Sequence, residues 1–78
     1  MPKFVLHRNT NAVRIVTDKK CGTLPAGVAW FFRNDRGGFS HLDAQNQRWF
    51  CPVGTLRVIA AQAVEPIQQY DVRGFLLS

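Results

Sequence analysis

Between Cys21 and Ile59 the chain is cut by Gly22, Pro25, Gly27, Gly37, Gly38, Pro52 and Gly54, and the pieces between these corners are short and aromatic. Six of the nine aromatic residues fall here, namely Trp30, Phe31, Phe32, Phe39, Trp49 and Phe50, with Arg33, Arg36, Arg48 and Arg57 between or beside them. Proline cannot donate to a ladder and glycine turns the backbone, so such a stretch reads as strands joined by tight turns.

The strongest strand is 28–33 (VAWFFR), with Val28, Trp30 and Phe32 on one face and Ala29, Phe31 and Arg33 on the other. Residues 34–38 (NDRGG) are a turn, 39–43 (FSHLD) a short strand, 44–47 (AQNQ) a second turn, and 48–51 (RWFC) a strand stopped by Pro52. Counting back from the second turn places Asp43 opposite Arg48, His41 opposite Phe50 and Ser40 opposite Cys51. Residues 55–61 (TLRVIAA) alternate again and read as a closing strand. Upstream, 3–8 (KFVLHR) and 12–17 (AVRIVT) flank Asn9-Thr10-Asn11 and read as an N-terminal hairpin. Residues 18–27 form a loop whose Leu24 is expected to reach the core. In the tail, residues 62–78, Pro66 suits the first position of a short C-terminal helix, though the same residues also suit an edge strand. Phe75-Leu76-Leu77 is apolar enough to require docking on the core or on a second chain.

This order of elements predicts an all-β chain and a single domain over 1–78, with a core barrel over about 3–61 and a docking tail over 62–78. Over residues 12–61 the succession of hairpin, long polar loop, aromatic strand, two turns and a Pro-Val-Gly corner resembles a small SH3-like five-stranded barrel. The resemblance is one of architecture and carries no functional residues with it. An OB-like barrel is the alternative, less suited to strands this short.

The chain holds 46% hydrophobic residues and no long apolar run, so a soluble fold with no membrane span is expected. No secretory leader is legible at the amino end, which makes the cytoplasm the default location. There Cys21 and Cys51 are expected to be free, structural thiols. The net charge of +5 is uneven: residues 1–59 carry +6 and residues 60–78 carry −1. A positive body suits nucleic acid or an acidic protein surface, although many small domains hold such a charge for solubility alone.

Catalysis and metal binding find little support. His7, Cys21, His41 and Cys51 are residue types that ligate zinc, but their spacing matches no common module. Ser40 and His41 are adjacent on a strand and so point to opposite faces. Cys51 with His41 would need a register that the turn does not supply. No phosphate-binding glycine loop is present. The expectation is a non-enzymatic module without cofactor or metal.

What remains is a basic and aromatic surface. With Trp30, Phe32, Trp49 and Cys51 assigned to the core, the outward set becomes Phe31, Arg33, Arg36, Arg48, Phe50 and Arg57. Rings between guanidinium groups stack bases and neutralise phosphate, which makes nucleic-acid binding the first expectation. The same composition serves protein–protein interaction or homo-oligomerisation, the alternative. A third possibility is that the tail covers this face. The size and charge bias suit an accessory protein of a phage or mobile element.

Overall fold

The computed structural model describes residues 4–78. Five strands, β1 (Ala12–Thr17), β2 (Gly27–Arg33), β3 (Phe39–Leu42), β4 (Arg48–Cys51) and β5 (Gln68–Tyr70), form one antiparallel sheet in the order β4-β3-β2-β1-β5. The chain is mostly β, as expected, but the sheet is open, with β4 and β5 at its two ends. A helix, α1 (Val53–Ala60), connects them in sequence. No helix of the described residues is long and apolar enough to cross a membrane.

The helix corrects the expected closing strand at 55–61. Leu56, Ile59 and Ala60 are its buried residues, and Ala63 follows one turn on. That is a spacing of i, i+3, i+4 and i+7, the period of a helix with one apolar stripe. Over seven residues the same letters also alternate, so the two periods were degenerate. Pro52 resolves them: it ends the β4 ladder and stands at the N-cap with φ −59° and ψ 154°, while its carbonyl accepts from Leu56 N–H at 2.9 Å.

Both turns of the aromatic stretch form, each on a side-chain carboxyl or amide. Asn34 Oδ1 accepts from Arg36 N–H and Gly38 N–H at 2.9 and 3.2 Å. Gly38 is required by close approach: a Cβ there would lie 2.8 Å from the Cys51 carbonyl oxygen and from the Phe50 ring. In the second turn Asp43 Oδ1 accepts from Gln45 N–H and Gln47 N–H, and Asn46 takes φ 63°. Asp43 N–H donates to Gln47 O, so the turn spans 43–47, one residue more than expected. The register shifts accordingly: Leu42 faces Arg48, His41 faces Trp49, Ser40 faces Phe50 and Phe39 faces Cys51.

The N-terminal hairpin does not form over its described part. Residues 4–11 make no ladder with β1, whose neighbours are β2 and β5. A buried amide holds this segment instead. Gln69 Oε1 accepts from His7 N–H at 3.0 Å and Thr10 Oγ1 at 2.6 Å, and its Nε2 donates to Val5 O at 2.7 Å. The first residues of the expected strand, 1–3, lie outside the described residues.

The tail takes the edge-strand alternative, as β5, and no helix starts at Pro66. Beyond Tyr70 the chain turns at Asp71–Gly74 and runs back along β5, with Leu77 N–H donating to Gln69 O at 2.7 Å and Leu76 bridged to Tyr70. It docks through its backbone, and the side chains of Phe75 and Leu76 stay exposed.

The core lies between α1 and one face of the sheet. Val13, Ile15, Ala29, Phe31, Phe39 and Cys51 meet Leu56, Ile59, Ala60 and Ala63, and Leu24 reaches in from the loop as expected. The faces of β2 are therefore the reverse of those expected. Ala29 and Phe31 point inward, while Val28, Trp30 and Phe32 point outward and are 41–51% exposed.

Candidate nucleic-acid interface

The outward face follows from the registers. Ala12 sits between Phe32 and Tyr70, Phe32 is paired to Ser40, and Ser40 to Phe50. One row crossing all five strands thus reads Tyr70, Ala12, Phe32, Ser40, Phe50: a ring on every second strand, with a small residue between. Strands lie about 4.8 Å apart, so successive rings stand roughly 9.6 Å apart along the row. Trp30, two residues from Phe32 and opposite Arg14, begins the next row. Its ring is nearly parallel to that of Phe32, 13° apart with centroids at 6.2 Å, and lies 5.6 Å from the Tyr70 ring.

Two arginines share this face, Arg14 on β1 and Arg48 on β4, and no outward position of the five strands carries a carboxylate. Arg14 approaches Glu65 at 3.9 Å, a loose pair with a half-exposed partner. Arg36, in the turn before β3, places its guanidinium 4.7 Å from the centre of the Phe50 ring. A cation over a ring is weakly held there and keeps donors free for an anion.

The expected site residues divide. Arg36, Arg48 and Phe50 come together on the aromatic face. Phe31 does not: it is fully buried, packed 5.4 Å from the His41 ring. Arg33 shares the Phe31 side of β2, its Nε donating to Thr10 O at 2.7 Å and its guanidinium over Phe39, so it ties β2 to the N-terminal segment. Arg57 is exposed on α1, not on a strand beside Phe50. Trp49, expected in the core, is 46% exposed and donates from Nε1 to Asp43 Oδ2 at 2.7 Å.

Trp30, Phe32, Tyr70 and Arg14 were missed. The signal for them was faint but present: Arg14 must face out of β1, and whatever pairs with Arg14 shares that face. The nine residues between β1 and β2 leave that register unreadable from sequence.

Among the described residues no three His, Cys, Asp or Glu side chains gather as metal ligands would. Cys51 is buried and free, and burial pushes its thiol up to about 11, which leaves it protonated and unreactive at neutral pH. Cys21, half-buried, donates to Gln62 Oε1 at 3.2 Å. No protein-family model matches this chain, and no curated protein and no solved structure matches it.

Proposed function

We propose that this chain is a small, non-enzymatic module that binds single-stranded nucleic acid on the outward face of its sheet. The observation that carries the reading is the cross-strand row of Tyr70, Phe32 and Phe50 with Ala12 and Ser40 between them. Exposed Phe32 and Phe50 and half-buried Tyr70, separated by small residues, offer flat faces and gaps to planar groups, and every base has a flat face. Arg14, Arg36 and Arg48 supply cations for phosphate, and the strands themselves carry no carboxylate, the nearest to these arginines being Glu65 beside Arg14. The strand order, with a helical segment before the last strand, supports reading the domain as SH3-like rather than OB-like. A cytoplasmic location fits its two free thiols.

The test is a titration of the exposed tryptophan fluorescence with single- and double-stranded oligonucleotides at two salt concentrations. Three neutralised phosphates at about −0.7 each give an expected slope of log affinity on log salt near −2 for single strands. No binding at low salt overturns the proposal. The second reading, a protein-binding or homo-oligomeric surface, draws on the exposed Val28, Leu42 and Leu76 around the rings. It predicts association that is nearly indifferent to salt and visible as a concentration-dependent mass.

A further inference from the structure

The ladder between β2 and β3 holds two register pairs, Phe32 with Ser40 and Arg33 with Phe39, although β2 reaches back to Gly27 and β3 on to Leu42. Between the parts that do not pair lies a cleft of about 450 Å³. That volume is within the roughly 300–1,000 Å³ of small-molecule sites. Its apolar walls include Leu24, Val28 and Leu42, and Trp30 and Phe32 of the aromatic face border it. Its polar lining includes Ser40, His41, Asn46 and Arg48.

His41 marks the cleft as more than a crease. Its Nδ1 is buried and has no hydrogen-bond partner among the described residues. Native structures rarely leave such a group orphaned without a reason. The carboxylate in the lining, Asp43, is already engaged by Gln45, Gln47 and Trp49. A lining that combines flat aromatic rings, hydrogen-bonding groups and a guanidinium suits a planar heterocycle attached to a phosphate.

We propose that this cleft takes one unstacked base of the bound strand and gives the module a base preference, an inference that rests on the nucleic-acid reading above. The base enters the gap between β2 and β3 beside Trp30 and Phe32, lined by Ser40 from the outward side, His41 from the core side and Asn46, and its phosphate meets Arg48. Rings on the open face hold any base, whereas an edge that must satisfy fixed donors and acceptors distinguishes among them.

The experiment compares oligonucleotides of about eight residues, the span of a small single-strand site: homopolymers of dA, dC and dT, and a dT strand with one central dG. Wild type is expected to favour one of the four by about tenfold, the worth of one or two hydrogen bonds. His41→Phe keeps the ring that packs on Phe31 and removes both nitrogens, and Asn46→Gly keeps the left-handed turn and removes the amide. Each should lower affinity for the favoured strand to that of the others and leave the weakest unchanged. Equal affinities in wild type, or a preference that survives both variants, overturn the pocket and leave the nucleic-acid reading standing. No binding to any of the four overturns that reading with it.

Discussion

The reversal of β2 is testable with two neighbouring residues of the same type. Phe31 is fully buried in the core and Phe32 is 51% exposed on the opposite face. Phe31→Ala removes a ring that is enclosed by Val13, Ile15, Phe39 and the His41 ring, and truncations of this kind cost about 3–5 kcal/mol. Phe32→Ala opens no cavity. Full burial of such a side chain contributes about 1.5–3 kcal/mol, so half burial leaves about 1 kcal/mol to lose. A domain of 78 residues has roughly 4–12 kcal/mol in total at typical values per residue, so Phe31→Ala takes a large share or all of it.

Urea unfolding followed by circular dichroism reads the difference. With a slope near 1 kcal/mol per molar, as in small domains, the two midpoints should differ by about 2 M or more. In the oligonucleotide titration the order inverts. Phe32→Ala should fold and lose about tenfold or more in affinity, as the loss of one stacked base implies. A Phe32→Ala variant as unstable as Phe31→Ala, or a Phe31→Ala variant within 1 kcal/mol of wild type, would refute the assignment of faces.

Two further outcomes follow from the turns. Gly38→Ala should destabilise by about 1–3 kcal/mol in the same urea assay, because its Cβ meets backbone at Cys51 and the Phe50 ring at 2.8 Å, and it should also disturb the Arg36–Phe50 stack. Asp43 is held below the ordinary carboxyl range, chiefly by the Trp49 indole N–H and then by the Gln47 and Gln45 amides. A depressed folded pKa contributes stability that is fully present above the unfolded value of about 3.9 and is lost as pH falls through the folded value. Thermal midpoints should therefore hold from neutral pH to about pH 4 and fall below it. Asp43→Asn should lower the neutral plateau and flatten the acid fall; Asp71, lowered chiefly by the Phe75 N–H, keeps part of the fall in place.

Strand positions and turns were legible in the sequence because they rest on local chemistry. Asn34 and Asp43 act within a few residues of themselves, and Pro52 ends β4 wherever the rest of the chain goes. Some misread features depend on residues far away and some on local detail. The N-terminal segment is held by an amide from Gln69, some 60 positions on, and no local pattern marks that clamp. The one-residue register error between β3 and β4 came from the Asn46 left-handed position, which lengthens the turn at no cost that composition reveals. Of the candidate site, Arg36, Arg48 and Phe50 were readable because Arg48 and Phe50 alternate with Cys51, whose burial was correctly expected.

The faces of β2 and the nature of residues 53–60 are one question. Val28–Arg33 carries large apolar groups on both sides, so alternation alone cannot say which side is covered. If 55–61 were a strand, it would extend the sheet and leave that choice open. As a helix, it has a narrow stripe, Leu56, Ile59 and Ala60, that must lie on a surface with room for it. The face bearing Val13, Ile15, Ala29 and Cys51 is the one this stripe covers, together with Phe31 and Phe39. Covering that face buries Phe31 and Phe39 and leaves Trp30, Phe32 and Phe50 exposed on the other. Their exposure is a consequence of covering one sheet with one short helix, and this uncovered remainder is the surface on which the proposed binding rests.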